Sequence, residues 1–198
     1  MRKRSIMALV AAGLVVSAAV LAFSAFAAGG GAQHVRWDII SLVGGAPPGP
    51  LNPGGIASAM APDGDLITLT GTGTFVAPSG SNGGSDAVTG GGTWRTATAS
   101  GTYQVKELVS FVMANHQAST PVFVDNIGSL TQRTNGTAVL RVEFSDGQSG
   151  VLTIGCHGPG APPGIIEGIA TSKGYKTYYE VQEPVGGVDA NRTIFHVR

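Results

Sequence analysis

Charge is scarce in this sequence. Lys, Arg, Asp and Glu make up 12% of its 198 residues, about half the usual share of roughly 25%. Three of the basic residues stand together at positions 2–4, and no second Lys/Arg cluster follows them. A nucleic-acid interface needs such a cluster. We therefore expect neither nucleic acid nor an anionic membrane surface as a partner.

Cysteine is nearly absent as well. Cys156 stands alone, so no disulfide can form within the chain, and its stability has to come from packing or from assembly. No two histidines have the spacing of metal ligands, and the glycine runs lack the Lys-Ser/Thr ending of a phosphate loop. We expect no metal and no cofactor, and a homo-oligomer stays open.

An uncharged, mostly apolar stretch covers residues 6–23, directly after the basic cluster. Ala25-Phe26-Ala27 then fits the small-x-small pattern that signal peptidase recognises. A run of about 18 apolar residues is also long enough to span a bilayer, so an uncleaved anchor is the alternative. We favour a signal peptide over residues 1–27. The mature protein is then secreted or periplasmic, without a membrane attachment.

Cleavage after Ala27 changes both length and charge. It leaves 171 residues, a length that suits one domain. Nine Lys and Arg then remain against twelve Asp and Glu, a net charge of −3. We expect residues 28–64 to form an N-terminal strand and a Gly/Pro-rich loop leading into a barrel, and residues 65–198 to form the main β domain.

Apolar residues recur mostly with period two. Val35, Trp37 and Ile39 alternate with polar residues, which predicts a half-buried strand. Asp146-Gly147 predicts a hairpin turn. Further strands are predicted at residues 65–76, 103–111, 138–142, 151–154, 165–169, 175–181 and 193–197. About eight to nine short strands separated by turn clusters predict an all-β, antiparallel domain.

Residues 105–116 allow two interpretations. Their apolar residues recur at the spacing of one helical face. Four of the twelve residues are β-branched or aromatic, however, and Tyr103 begins an alternation that continues into the segment. We therefore favour a strand here.

A Gly-Thr-aromatic triplet occurs three times, at residues 73–75, 92–94 and 101–103. Glycine in a strand permits sharp coiling or leaves room for a neighbouring ring. Three such sites would curve a sheet toward closure, which favours a single antiparallel barrel over a β-sandwich. The organisation resembles the small closed barrels of the allene oxide cyclase and dirigent type, and lipocalin-like barrels. The resemblance implies architecture only, because no motif of those families matches this chain.

Aromatic residues on the predicted strands suggest a ligand site. Trp37, Phe75, Trp94 and Tyr103 are candidates to line the mouth or interior of the barrel. The alternative role for these four side chains is ordinary core packing.

Catalytic candidates gather in the last third of the chain. Cys156 and His157 are adjacent in a Gly/Pro-rich loop that leads to Glu167, although adjacent strand residues point to opposite faces. Arg192 and His196 share one face of the last predicted strand. We take His157, Glu167, Arg192 and His196 as the candidates for acid–base or anion-binding chemistry.

Three functions fit these features. The first is an exported β-barrel binding module for a small, largely apolar ligand. The second is a cofactor-free barrel enzyme of the isomerase or cyclase kind, in which the catalytic candidates place a proton or a charge. The third is a self-assembling surface or structural protein.

Overall fold

The computed structural model describes residues 31–42, 49–79, 83–120, 123–182 and 191–198. The predicted signal peptide lies outside these residues. Within them, strands dominate, one short 3-10 turn spans Leu130–Gln132, and there is no α-helix. The same residues contain no helix with the length and hydropathy of a bilayer-spanning segment.

The described residues form thirteen strands, against the eight to nine expected. The excess comes from short strands and from the run at residues 65–76, which is divided in two at Thr70 and Gly71. The strands are β1 (Gln33–Leu42), β2 (Leu51–Pro53), β3 (Ala57–Met60), β4 (Leu66–Leu69), β5 (Thr72–Ala77), β6 (Val88–Arg95), β7 (Ser100–His116), β8 (Arg133–Phe144), β9 (Ser149–Cys156), β10 (Gly168–Lys173), β11 (Lys176–Tyr178), β12 (Glu180–Val181) and β13 (Arg192–Val197).

Six strands close into an antiparallel barrel, so the predicted barrel is confirmed over the sandwich. Around the ring the order is β1, β5, β6, β7, β8 and β13, and β13 returns to β1. The other strands extend this ring: β9, β10 and β11 continue from β8, whereas β4, β3 and β12 continue from β6. β2 pairs with the end of β1.

The ambiguous segment at residues 105–116 belongs to β7, which confirms the strand prediction. β7 pairs with β8 along almost its whole length, with register shifts between Val105 and Glu107, Leu108 and Ser110, and Met113 and Asn115. Such irregularities bend a strand and increase its twist. They allow one long strand to follow the curve of the barrel.

The hairpin predicted at Asp146-Gly147 connects β8 with β9, and Gly147 has a φ of +86°. The strand predicted at residues 165–169 begins later, at Gly168, and continues to Lys173. The residues before Gly168 instead belong to the Gly/Pro-rich connection that follows β9. This connection brings Glu167 to the outside of the barrel.

Two of the three repeated glycines make room for aromatic rings inside the barrel. A Cβ added to Gly73 would lie 2.3 Å from the carbonyl oxygen of Thr89 and 2.8 Å from Nε1 of Trp37. A Cβ on Gly101 would lie 2.9 Å from Nε1 of Trp94. Two of the three triplets therefore have a glycine beside a ring, as the sequence suggested, whereas a Cβ on Gly92 would meet the backbone of Thr70 and Gly71.

We expect Gly73→Ala to lower the free energy of unfolding by about 1–3 kcal/mol or more, because the new methyl group overpacks a site bounded by backbone and the Trp37 ring. The measurement is urea denaturation followed by tryptophan fluorescence. Gly31→Ala is the control, since its added Cβ meets no atom within 4 Å, and it should change stability by less than about 0.5 kcal/mol. Equal stability of the two variants would contradict this packing role.

Candidate functional site

The last strand of the ring separates an inner from an outer apolar cluster. Phe195 points inward and belongs to the main core, together with Trp37 and Phe75. Ile194 points outward, as strand alternation requires, and packs in a second cluster outside the barrel wall. The other members of that outer cluster are Ile40, Leu42, Leu51, Phe123 and Ile127.

A cleft of about 260 Å³ lies over this outer cluster. Part of its lining is an apolar wall, which we define as Ile40, Leu42, Leu51, Phe123 and Ile194. The lining also carries ionisable groups, those of Arg133, His157, Glu167 and Arg192. The cleft therefore combines an apolar surface with a few charged or polar groups, as small-molecule sites commonly do.

Three of the four catalytic candidates line this cleft. His157 and Glu167 come from the connection after β9, and Arg192 begins β13. His196 is fully buried and does not line the cleft, and its Nε2 lies 2.9 Å from Oδ2 of Asp125. The structure thus brings together three of the predicted residues, and their catalytic role stays a prediction.

Glu167 lies in a network of backbone donors. Its Oε1 accepts the N–H of Thr193 at 2.9 Å, and its Oε2 accepts the N–H of His157. Burial raises the pKa of Glu167 to about 7, although these two hydrogen bonds and the charges of Arg192 and His157 act in the opposite direction. A carboxyl group with such a pKa can hold or release a proton near neutrality.

Cys156 and His157 do not form a thiol–imidazole pair. Cys156 is 1% exposed and belongs to the main core, where its sulfur accepts a hydrogen bond from Nε2 of Gln117 at 3.2 Å. Burial raises the pKa of the Cys156 thiol well above its ordinary range. The His157 side chain is exposed, and its Nδ1 lies 2.9 Å from the carbonyl oxygen of Ile165. The two side chains therefore have separate environments.

The four aromatic ligand-site candidates are core residues in the structure. Trp37, Phe75, Trp94 and Tyr103 are between 0% and 3% exposed. Phe75 packs edge-on against Phe111 at 5.2 Å between ring centroids. None of the four lines the outer cleft, and ligand contact by them stays a prediction.

Arg133 is the residue of this site that sequence reasoning missed. It is 0% exposed, and Nε, Nη1 and Nη2 of its guanidinium have no hydrogen-bond partner among the described residues. The nearest carboxylate is Asp125, 4.0 Å from Nε. Its Cζ lies 5.9 Å from the centroid of the Phe123 ring. Arg133 follows a polar stretch typical of a turn, so no local pattern marks it as buried.

Asp125 is already occupied by other donors. Its Oδ1 accepts the backbone N–H groups of Ile127 and Gly128, each at 2.9 Å, and its Oδ2 accepts from His196. Burial works to raise its pKa, but these hydrogen bonds hold the pKa of Asp125 below its ordinary value. Asp125 therefore balances the charge of Arg133 only at a distance.

Metal ligands do not gather in the described parts of the chain: no three His, Cys, Asp or Glu side chains there lie close enough to hold an ion. No protein-family profile matches the sequence, and neither the curated proteins nor the solved structures supply a match. Since a barrel fold does not determine a function, function has to be argued from the cleft itself.

The raised pKa of Glu167 predicts a pH dependence of stability. The folded protein holds this proton up to about pH 7, whereas the unfolded chain releases it near the ordinary value of 4.5. The contribution to stability is therefore fully present below about pH 4.5 and is lost as the pH rises toward 7. Between those limits the free energy of unfolding should fall by at most about 3 kcal/mol more in the wild-type protein than in Glu167→Gln.

Urea denaturation at intervals between pH 4 and 8 measures this difference. The slope against pH is compared, and not the absolute stability, because Gln accepts only one of the two backbone hydrogen bonds made by Glu167. If the free energy of unfolding changes with pH equally in the wild-type protein and in Glu167→Gln, the pKa of Glu167 is not raised in the folded protein.

Proposed function

We propose that this protein is an exported binding module that takes up a small, largely apolar ligand in the cleft outside its barrel wall. The observation that carries this proposal is the apolar wall itself. Its side chains pack together outside the barrel, and they border a cleft of about 260 Å³. That volume approaches the lower limit of about 300 Å³ for ordinary ligand pockets.

The wall provides the free energy of binding, and the ionisable groups of the lining provide orientation. Covering about 100 Å² of apolar surface contributes roughly 2.5 kcal/mol. Arg192 and His157 are among these groups, so a ligand with one polar group would bind in a fixed direction. A compact molecule with an apolar body and one polar group suits this arrangement.

The neutral fluorescent probe N-phenyl-1-naphthylamine tests the proposal. We expect saturable binding by the wild-type protein and at least about tenfold weaker binding by Leu51→Phe, because the larger ring extends into the cleft. Leu51 is 5% exposed and belongs to the wall. Titration of the probe fluorescence measures both dissociation constants.

Leu66→Phe is the matched control. It makes the same change at a side chain that is 40% exposed on β4 and does not line the cleft, and it should bind the probe like the wild-type protein. Thermal unfolding of each variant verifies that it is folded. Absence of binding to the wild-type protein, or equal binding by both variants, would refute the proposal.

A cofactor-free isomerase or cyclase is the second candidate, supported by the position of Glu167. Its carboxyl group lies at the cleft, has a pKa of about 7 and stands near the charges of Arg192 and His157. Such a group can move a proton to or from a bound carbonyl compound. Self-assembly and a homo-oligomer stay predictions from the sequence.

Proton transfer at the cleft can be measured with 4-phenyl-2-butanone in deuterated water. We expect the wild-type protein to speed deuterium incorporation next to the carbonyl group, and Glu167→Gln to abolish that increase, because the amide cannot accept the proton. NMR follows the exchange. Exchange that proceeds equally fast with both proteins would remove Glu167 as the base.

A further inference from the structure

The guanidinium of Arg133 is the least satisfied polar group that the structure describes. Seven buried side-chain nitrogen or oxygen atoms in the described residues have no hydrogen-bond partner, and three of them belong to this one group. A buried charge without hydrogen bonds destabilises a fold by several kcal/mol. A charge in this position therefore needs an explanation other than stability.

Two carboxylates on this outer face, Asp38 and Asp125, are already held by other donors. Asp38 accepts two hydrogen bonds from Arg36, at 2.8 and 2.9 Å. Asp125 is held by His196 and two backbone N–H groups, and it stays 4.0 Å from Nε of Arg133. All five donors of the guanidinium thus remain for another acceptor.

The position of Arg133 indicates where that acceptor comes from. Arg133 lines the cleft next to the apolar wall, and the Phe123 ring, itself part of the wall, lies over its guanidinium. Arg192 adds a second positive charge to the lining. Among the residues that the structure describes, the only carboxyl group in the cleft lining is that of Glu167, whose pKa of about 7 leaves it partly protonated at neutral pH.

We infer that Arg133 is the anion-binding residue of the cleft, and that the ligand is a small organic acid with an apolar body. This inference rests on the proposed binding function and specifies its ligand class. The apolar body lies on the wall, and the anionic group pairs with the guanidinium once the Phe123 ring turns aside. Two parallel N–H···O bonds from the fork of Arg133 to a carboxylate would satisfy two of its five unpaired donors. Side-chain rotations of this kind are common when ligands bind.

Two probes that share one apolar body separate the inference from the proposed function. The neutral probe is N-phenyl-1-naphthylamine, and the anionic probe is 8-anilino-1-naphthalenesulfonate, which adds only a sulfonate group. We expect the wild-type protein to bind the anion at least about tenfold more tightly than the neutral probe. Arg133→Met should lose that preference while it keeps its affinity for the neutral probe.

Arg141→Met is the matched control. Arg141 lies on the same face of β8 by strand alternation, but its side chain is 60% exposed and pairs with Glu107 at 2.8 Å. This variant should keep the full preference for the anion. Arg133→Met should be at least as resistant to heat as the wild-type protein, because an apolar side chain of similar length replaces an unsatisfied buried charge.

Each outcome has one meaning. If the wild-type protein does not bind the neutral probe, the proposed function fails, and the inference that rests on it fails as well. If it binds the neutral probe but shows no preference for the anion, or if Arg133→Met keeps that preference, the inference fails and the proposed function stands. If Arg133→Met loses the preference and Arg141→Met keeps it, the result supports both the proposed function and the inference.

A measurement on the unaltered protein does not depend on how well Arg133→Met folds. Benzoate and benzyl alcohol have the same ring and differ in charge. We expect benzoate, and not benzyl alcohol, to shift the ¹⁵N–¹H signal of the Arg133 Nε group in an NMR titration and to raise the melting temperature. An Arg133 signal that stays in place at saturating benzoate would overturn the inference.

Discussion

Both the barrel and its outer cleft depend on the pairing of β13 along its two edges. Six residue pairs join β13 to β1, and two pairs join it to β8, which closes the ring. Because side chains alternate along a strand, the same six residues of β13 supply side chains to the inside and to the outside of the barrel. Phe195 fills the interior, while Arg192 and Ile194 form part of the cleft. The strand that closes the barrel therefore also supplies part of the cleft.

Short-range patterns in the sequence were enough to predict every strand of the ring except β6. Strand alternation puts the neighbours Phe195 and Ile194 on opposite faces of β13, and the structure has them there. The Gly-Thr-aromatic triplets predicted curvature because a missing Cβ is a local property, visible at Gly73 and Gly101 without knowledge of the fold. Where the deciding interactions were local, the sequence was informative.

The site required information that the sequence does not display. Arg133 follows a polar stretch, and it is buried where Asp125 and Phe123 pack near the start of β8. Arg141, eight residues later on the same strand, is exposed because nothing comparable covers it. Neither the identity nor the spacing of these two arginines distinguishes them. Their difference arises from long-range packing, as does the position of Glu167 beside Thr193.

The outer cluster also gives the barrel wall two apolar faces at one place. Most of the ring is apolar within and polar outside, as antiparallel sheets commonly are. At β1 and β13, by contrast, Ile40 and Ile194 face outward and are covered by Leu51 and Phe123. β2 and the segment after β7 thereby act as a partial second layer.

The order of strands along the chain has a consequence for how the protein folds. The pair between Val35 and Val197 joins residues near the start and the end of the described chain, so the ring stays open until the residues of β13 have been synthesised. Until then β1 and β8 each lack a partner along part of one edge, and open edges invite pairing with other chains. A chain that lacks β13 therefore has most of its core residues but cannot yet bury them in a closed barrel. Aggregation during synthesis is the hazard that this topology creates.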